Sequence, residues 1–93
     1  MGRTPKINAN GGRDHWTSCY SVLFSGAGIR GGTVWGRSDR QAAYPEEDAV
    51  GPGDICACIY HCLGIDPEIP IRDPAGKPVP VAHGGRPIPA ILV

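Results

Sequence analysis

Cys19-Tyr20-Ser21-Val22-Leu23-Phe24-Ser25 is the stretch whose reading decides the fold. β-Branched, aromatic and apolar residues run together here, and Gly26 closes the run. Val22-Leu23-Phe24 is continuous rather than alternating, the pattern of a strand covered on both faces. Parallel or mixed sheets flanked by helices contain such strands. The stretch therefore predicts a buried strand over 19–25, with Leu23 in the core. Downstream, Gly28-Ile29-Arg30-Gly31-Gly32 turns the chain, and Thr33-Val34-Trp35-Gly36 predicts a second short strand. Residues 37–44 read as loop, and Pro45-Glu46-Glu47-Asp48 as an exposed acidic stretch. Upstream, residues 1–17 are polar and glycine-rich and read as loop, with Asn10-Gly11-Gly12 as a turn signal.

One helix is predicted, over 53–63. Gly51-Pro52-Gly53-Asp54 opens it, because proline fits the first turn and an acidic side chain suits the positive end of the macrodipole. At about 100° per residue, Ile55, Cys58, Ile59, Cys62 and Leu63 share one arc. Asp54, Ala57, Tyr60 and His61 lie opposite, so the first arc is expected to be buried. Gly64 is the expected stop. Seven prolines follow Ile65, and no long helix survives them. Asp73 to Lys77 reads as a turn, Pro78 to Val81 as an extended piece, and Pro87 to Val93 as one turn of helix.

Composition bounds what such elements can build. Ninety-three residues make one small domain or a piece of a larger one. Leu, Ile, Val and Phe number only 19, and Gly plus Pro make up about a quarter of the chain, so the core is expected to be thin. Nine basic and nine acidic residues cancel. That argues against nucleic acid as a partner, since phosphate tracking needs surplus positive charge. No 18-residue apolar run is present, so no membrane span is expected. No apolar segment follows the N-terminal residues, so no secretory signal is expected.

Four constellations bear on chemistry. Gly26-Ala27-Gly28-Ile29-Arg30-Gly31 matches G-x-G-x-x-G, but β-prone Thr33-Val34-Trp35 follows where a dinucleotide site needs a helix. A turn is the better reading. Cys56, Cys58, His61 and Cys62 crowd into seven residues, whereas structural zinc draws on separated ligand pairs. Packing is therefore the expected role of these cysteines, and a disulfide from Cys19 to the helix stays open. Arg13-Asp14-His15-Trp16 combines an anion binder, two metal-ligand types and an aromatic wall just before the predicted strand. The alternative is a surface Asp that orients its neighbour. Arg3 and Lys6 suit an oxyanion, or simply form a solvated basic terminus. His83 reads as a solvated histidine.

These residues carry a resemblance. Gly2-Arg3-Thr4-Pro5-Lys6, Asn8-Ala9-Asn10-Gly11-Gly12-Arg13-Asp14-His15-Trp16, Ser21-Val22-Leu23 and Gly26 to Gly32 come in order. Asp54 opening a helix that ends Ile59-Tyr60-His61-Cys62-Leu63-Gly64-Ile65-Asp66 completes the run. Over nearly its whole length the chain resembles the C-terminal part of the sulfatase-like proteins grouped as domain of unknown function fifteen-oh-one, in the alkaline phosphatase superfamily. The resemblance implies an α/β sandwich with a mostly parallel sheet, of which residues 1–93 form one partial domain. It implies a two-metal phosphatase or sulfatase chemistry, with zinc, calcium, manganese or magnesium as the divalent ion. His15 matches a metal ligand of that superfamily, with Asp14 beside it, and Arg3 and Arg13 are the expected anion binders.

The departures shape the expectation. The nucleophile and most other ligands of the superfamily are expected upstream of Met1. The acidic residue that precedes the Gly2–Lys6 motif in relatives is missing, and cysteines replace their Leu, Ala or Thr at 56, 58 and 62. Full-length relatives often carry an export signal. The chain is thus expected to be a hydrolase fragment that is not catalytic alone, partnered by itself or by a missing N-terminal portion of the domain. The rival expectation is a small self-associating binding or assembly module.

Overall fold

The computed structural model describes residues 2–93; Met1 lies outside them. The chain is a small mixed α/β structure of short elements. β1 (Gly2–Arg3) pairs with β2 (His15–Trp16), β3 (Arg37–Ser38) with β4 (Pro45–Glu47), and β5 (Pro70–Arg72) with β6 (Pro78–Pro80). All three ribbons are antiparallel. Helix α1 spans Pro52–Cys62, and a 3₁₀ turn spans Pro89–Ile91. Two compact units result, Met1–Phe24 with Trp35–Ala49, and Ser25–Val34 with Val50–Val93.

In the first unit, Trp16 is the anchor. Its indole Nε1 donates to the Ala43 carbonyl at 2.7 Å, and its ring meets Tyr44 edge-on at 5.7 Å. Asp39 shapes the receiving loop by accepting from the backbone N–H of Gln41 (3.2 Å) and Ala43 (2.8 Å). Ala43 is buried beneath this arrangement. Gly2 is obligatory opposite Trp16, because a Cβ there would overlap the Cys19 carbonyl oxygen and lie 2.9 Å from that of Trp16.

The expected strand at 19–25 does not form. Those residues have no ladder partner, and Leu23 is 91% exposed. The physical reason is pairing: a β-prone run needs a neighbouring edge to take its N–H and C=O groups. None of the described strands pairs with it. The second expected strand also moves, from Thr33–Gly36 to Arg37–Ser38, leaving Val34 91% exposed. The expected loops at 1–17 and 37–44 instead carry β1, β2 and β3, and the acidic stretch at 45–48, exposed as expected, supplies β4.

The second unit is built on α1. Pro52 occupies its first turn and Gly51 is its N-cap. The Asp54 carboxylate accepts from Gly51 N–H at 2.9 Å and from Arg86 N–H at 3.0 Å. The two bonds, that from Arg86 foremost, lower the Asp54 pKa below its ordinary value. At the other end Gly64 turns left-handed (φ +76°). Gly64 N–H donates to the His61 carbonyl and Ile65 N–H to that of Tyr60, closing a Schellman cap.

The buried face of α1 is rotated from the expected one. Ala57 and Cys58 are fully buried, while Ile59 is 44% and Leu63 67% exposed. Backbone rather than side chains covers the helix, so small residues face inward. Gly85 packs on Gly53 so closely that a Cβ would overlap the Gly53 carbonyl group. Ile88 N–H donates to Cys58 Sγ at 3.3 Å. Ala57, Cys58, Ala82 and Leu92 make a core as thin as composition implies. The G-x-G-x-x-G stretch is a turn, with Ile29 bridging Leu92 and no helix after it until Pro52.

Prolines in the last ribbon occupy harmless positions. Val81 N–H donates to the Ile69 carbonyl and Asp73 N–H to that of Lys77. By alternation, Pro70, Pro78 and Pro80 stand where an N–H would point outward. The outer edge of β6 thus has no donor at Pro78 or Pro80 for a further strand.

Candidate functional site

The register of the first ribbon sets Arg3 opposite His15 and Gly2 opposite Trp16. Directly opposed residues share a face, with Cβ atoms about 5 Å apart. Trp16 faces its anchor at Ala43 and Tyr44, so Arg3 and His15 take the exposed face. The Arg3 guanidinium is held in place: Nη1 donates to the Arg13 carbonyl at 3.2 Å.

A pinned loop joins the two strands. Thr4 N–H donates to the Asp14 carbonyl (2.9 Å), and Asp14 N–H to Thr4 Oγ1 (3.1 Å). Asn8 Oδ1 accepts from the N–H of Asn10 and of Gly12, each at 3.0 Å. Gly11 takes φ +75° to complete the turn, a conformation glycine adopts freely. Asn8 Nδ2 then donates to Asp14 Oδ1 at 3.2 Å.

The ribbon brings together all four residues singled out in the sequence: Arg3, Arg13, Asp14 and His15. It gives them different surroundings. Arg13 meets Arg3 through its backbone carbonyl, not its side chain. Asp14 is drawn toward the loop by Asn8, while His15 shares a face with Arg3. Residues 2–16 also segregate charge: Arg3, Lys6 and Arg13 stand against Asp14 alone, in a chain that is neutral as a whole.

The donor set limits what a metal could do here. Asp14 and His15 offer one carboxylate and one imidazole, and no group of three or more His, Cys, Asp or Glu converges among the described residues. A closed four-ligand site does not fit; the pair suits at most part of a coordination sphere. On α1, Cys56 is exposed, Cys58 is buried and Cys62 is half-buried, and all three, with Cys19, are free thiols. His83 lies exposed in a turn at φ +53°.

Sequence reasoning missed Asn8 and the Trp16 anchor. Asn8 had a local signal, since an Asn two residues before a glycine turn commonly accepts from the turn's own backbone. Trp16 had none, because its partner lies 27 residues away.

The model of the family described as "Protein of unknown function (DUF1501)" matches residues 1–92. Comparison with curated proteins and with solved structures gives no match.

Proposed function

The chain belongs to the DUF1501 family, and from that premise we propose that it supplies the His15 ribbon to a metal-dependent phosphatase- or sulfatase-like site. In this reading the chain does not turn over substrate alone. The single observation that carries it is the opposition of Arg3 and His15 on the exposed face of the ribbon, in a segment that also holds Lys6 and Arg13. His15, with Asp14 beside it, would hold a divalent ion, and Arg3 and Arg13 would face the anionic ester. Such an ion, when bound, polarises a phosphoryl or sulfuryl oxygen. Residues 19–25 would be a strand of an α/β sandwich of the alkaline-phosphatase kind, their neighbours coming from the N-terminal portion of the domain.

Metal analysis tests this. The purified chain alone should retain less than one equivalent of zinc, manganese, calcium or magnesium. Adding an N-terminal portion of the domain should raise retention to stoichiometry, and His15→Ala should abolish the gain. No gain on reconstitution would defeat the reading.

The second reading is a self-associating module. It is favoured by the exposure of Tyr20, Val22 and Leu23 in a β-prone run without a partner. Light scattering at micromolar concentration tests the self-association that both readings expect, and metal retention on reconstitution separates them.

A further inference from the structure

We infer that Asn10 is a modification site: it deamidates without an enzyme, through attack by the Gly11 backbone nitrogen, and the product loosens the ribbon of β1 and β2. The inference stands apart from the hydrolase reading and rests on the loop that joins the two strands.

Asparagine is a thermally labile residue. Asn8 and Asn10 are the only asparagines in the sequence, and both lie in that loop. Their surroundings differ in what the reaction needs. Asn8 is half-buried and engaged at both ends of its amide. Its Oδ1 accepts from Asn10 N–H and Gly12 N–H at 3.0 Å each, and its Nδ2 donates to Asp14 Oδ1 at 3.2 Å. Ala9 follows it, and a methyl group beside the attacking nitrogen hinders closure. Asn10 is exposed, and its side-chain amide makes no hydrogen bond among the described residues. Gly11 follows it, with no side chain beside its nitrogen and open space where a Cβ would stand. One restraint acts on the nucleophile: Gly11 N–H donates to the Asn8 carbonyl at 3.1 Å. The turn must open before the nitrogen attacks.

Water is the co-reactant. Hydroxide removes the Gly11 N–H proton, and the nitrogen bonds to Asn10 Cγ. The Cγ–Nδ2 bond breaks and ammonia leaves, closing a cyclic succinimide. Water then opens the ring at either carbonyl, giving an aspartyl or an isoaspartyl residue. Nothing is oxidised or reduced. Both products put a carboxylate into a segment that holds Arg3, Lys6 and Arg13. The isoaspartyl product also adds one carbon to the main chain between Asn10 N–H and Gly12 N–H, the two donors that Asn8 Oδ1 gathers. One acceptor no longer spans them. Asn8 then releases Gly12 and its hold on Asp14, and the bond from Thr4 N–H to the Asp14 carbonyl weakens.

The test is incubation of the full chain at neutral and mildly alkaline pH, followed by peptide mapping with mass spectrometry. Asn10 should gain the mass of a hydroxyl less an amino group, at a rate that rises with hydroxide. Asn8 should react at least about tenfold more slowly, since its hydrogen bonds must break first. Asn8→Ala removes the oxygen that gathers the turn, and should speed the loss of Asn10 about threefold or more. Asn8→Asp keeps an accepting oxygen, and should leave the Asn10 rate within about twofold of the parent. In the isoaspartyl product, Thr4 N–H should exchange with solvent faster than in the parent chain. Equal rates at Asn8 and Asn10 would overturn the assignment, as would an unchanged Asn10 in the folded chain while the urea-unfolded chain reacts. An Asn10 rate unmoved by Asn8→Ala would overturn the restraint by the turn. Unaltered Thr4 exchange in the product would overturn the loosening.

Discussion

Replacing Asp54 tests the physical account of the second unit most sharply. Its carboxylate accepts from Gly51 N–H at 2.9 Å, which closes the first turn of α1. It also accepts from Arg86 N–H at 3.0 Å, which ties the helix start to a segment 32 residues away. Loss of a helix-start contact costs about 1 kcal/mol. A charge-assisted bond elsewhere contributes about 1.5–3 kcal/mol when well buried, and about 1 kcal/mol here, because Asp54 is partly exposed. Asp54→Ala should therefore destabilise by about 2 kcal/mol, or roughly 10 °C in a domain of this size. Asp54→Asn should lose about half of that, since one neutral oxygen still accepts. The pH dependence follows from the same bonds. They lower the Asp54 pKa in the folded state below the ordinary carboxylate value of 3.8. The stabilisation is then fully present above the unfolded pKa and is lost as pH falls through the folded one. The Asp54→Ala penalty should be complete at pH 6 and should shrink steadily below about pH 4. Thermal unfolding of both proteins, followed by the helical circular-dichroism signal between pH 2 and 7, measures this. A penalty that persists undiminished at pH 2 would show that the carboxylate charge is not what holds Arg86, and the reasoning would fail.

Three further substitutions follow from the packing. Gly85→Ala places a Cβ on the Gly53 backbone, and should cost about 2–3 kcal/mol of stability; an unchanged melting temperature would contradict the close approach. Trp16→Phe removes the bond to the Ala43 carbonyl and should cost about 1 kcal/mol, with the amide protection of β1 and β2 falling in hydrogen exchange. Leu23→Asp should leave the melt of this chain within about 0.5 kcal/mol, because the side chain is 91% exposed; a large loss would restore Leu23 to a core.

What the sequence made legible was mostly local. Gly51-Pro52 and Gly64 bracket α1 correctly because caps are decided by a residue's own φ and its missing or offered hydrogen bonds. The turn at Asp73–Lys77 and the extended Pro78–Val81 piece, of which Pro78–Pro80 is strand, are read from the same kind of local chemistry. What pairs with what was not legible. Val22-Leu23-Phe24 carries strand propensity but no information about an edge to join, and here it joins none. The helix period placed Cys58 correctly in the buried arc but not Ala57, Ile59 or Leu63: burial is rotated toward Ala57, with the Gly85 backbone packed on Gly53 and the Ile88 N–H on Cys58 Sγ. At the candidate site, residue types alone put Arg3, Arg13, Asp14 and His15 in one list. Only the register separated Arg3 and His15 from an Asp14 held by Asn8.

The central claim is that the His15 ribbon is one part of a hydrolytic site and not a whole one. Turnover by the 93-residue chain tests it most directly, with generic phosphate and sulfate monoesters assayed in the presence of zinc, manganese, calcium or magnesium. The account predicts background rates throughout, because a two-metal hydrolysis needs both ions and a positioned nucleophile, which this donor set does not assemble. A rate above background that disappears in His15→Ala would contradict it.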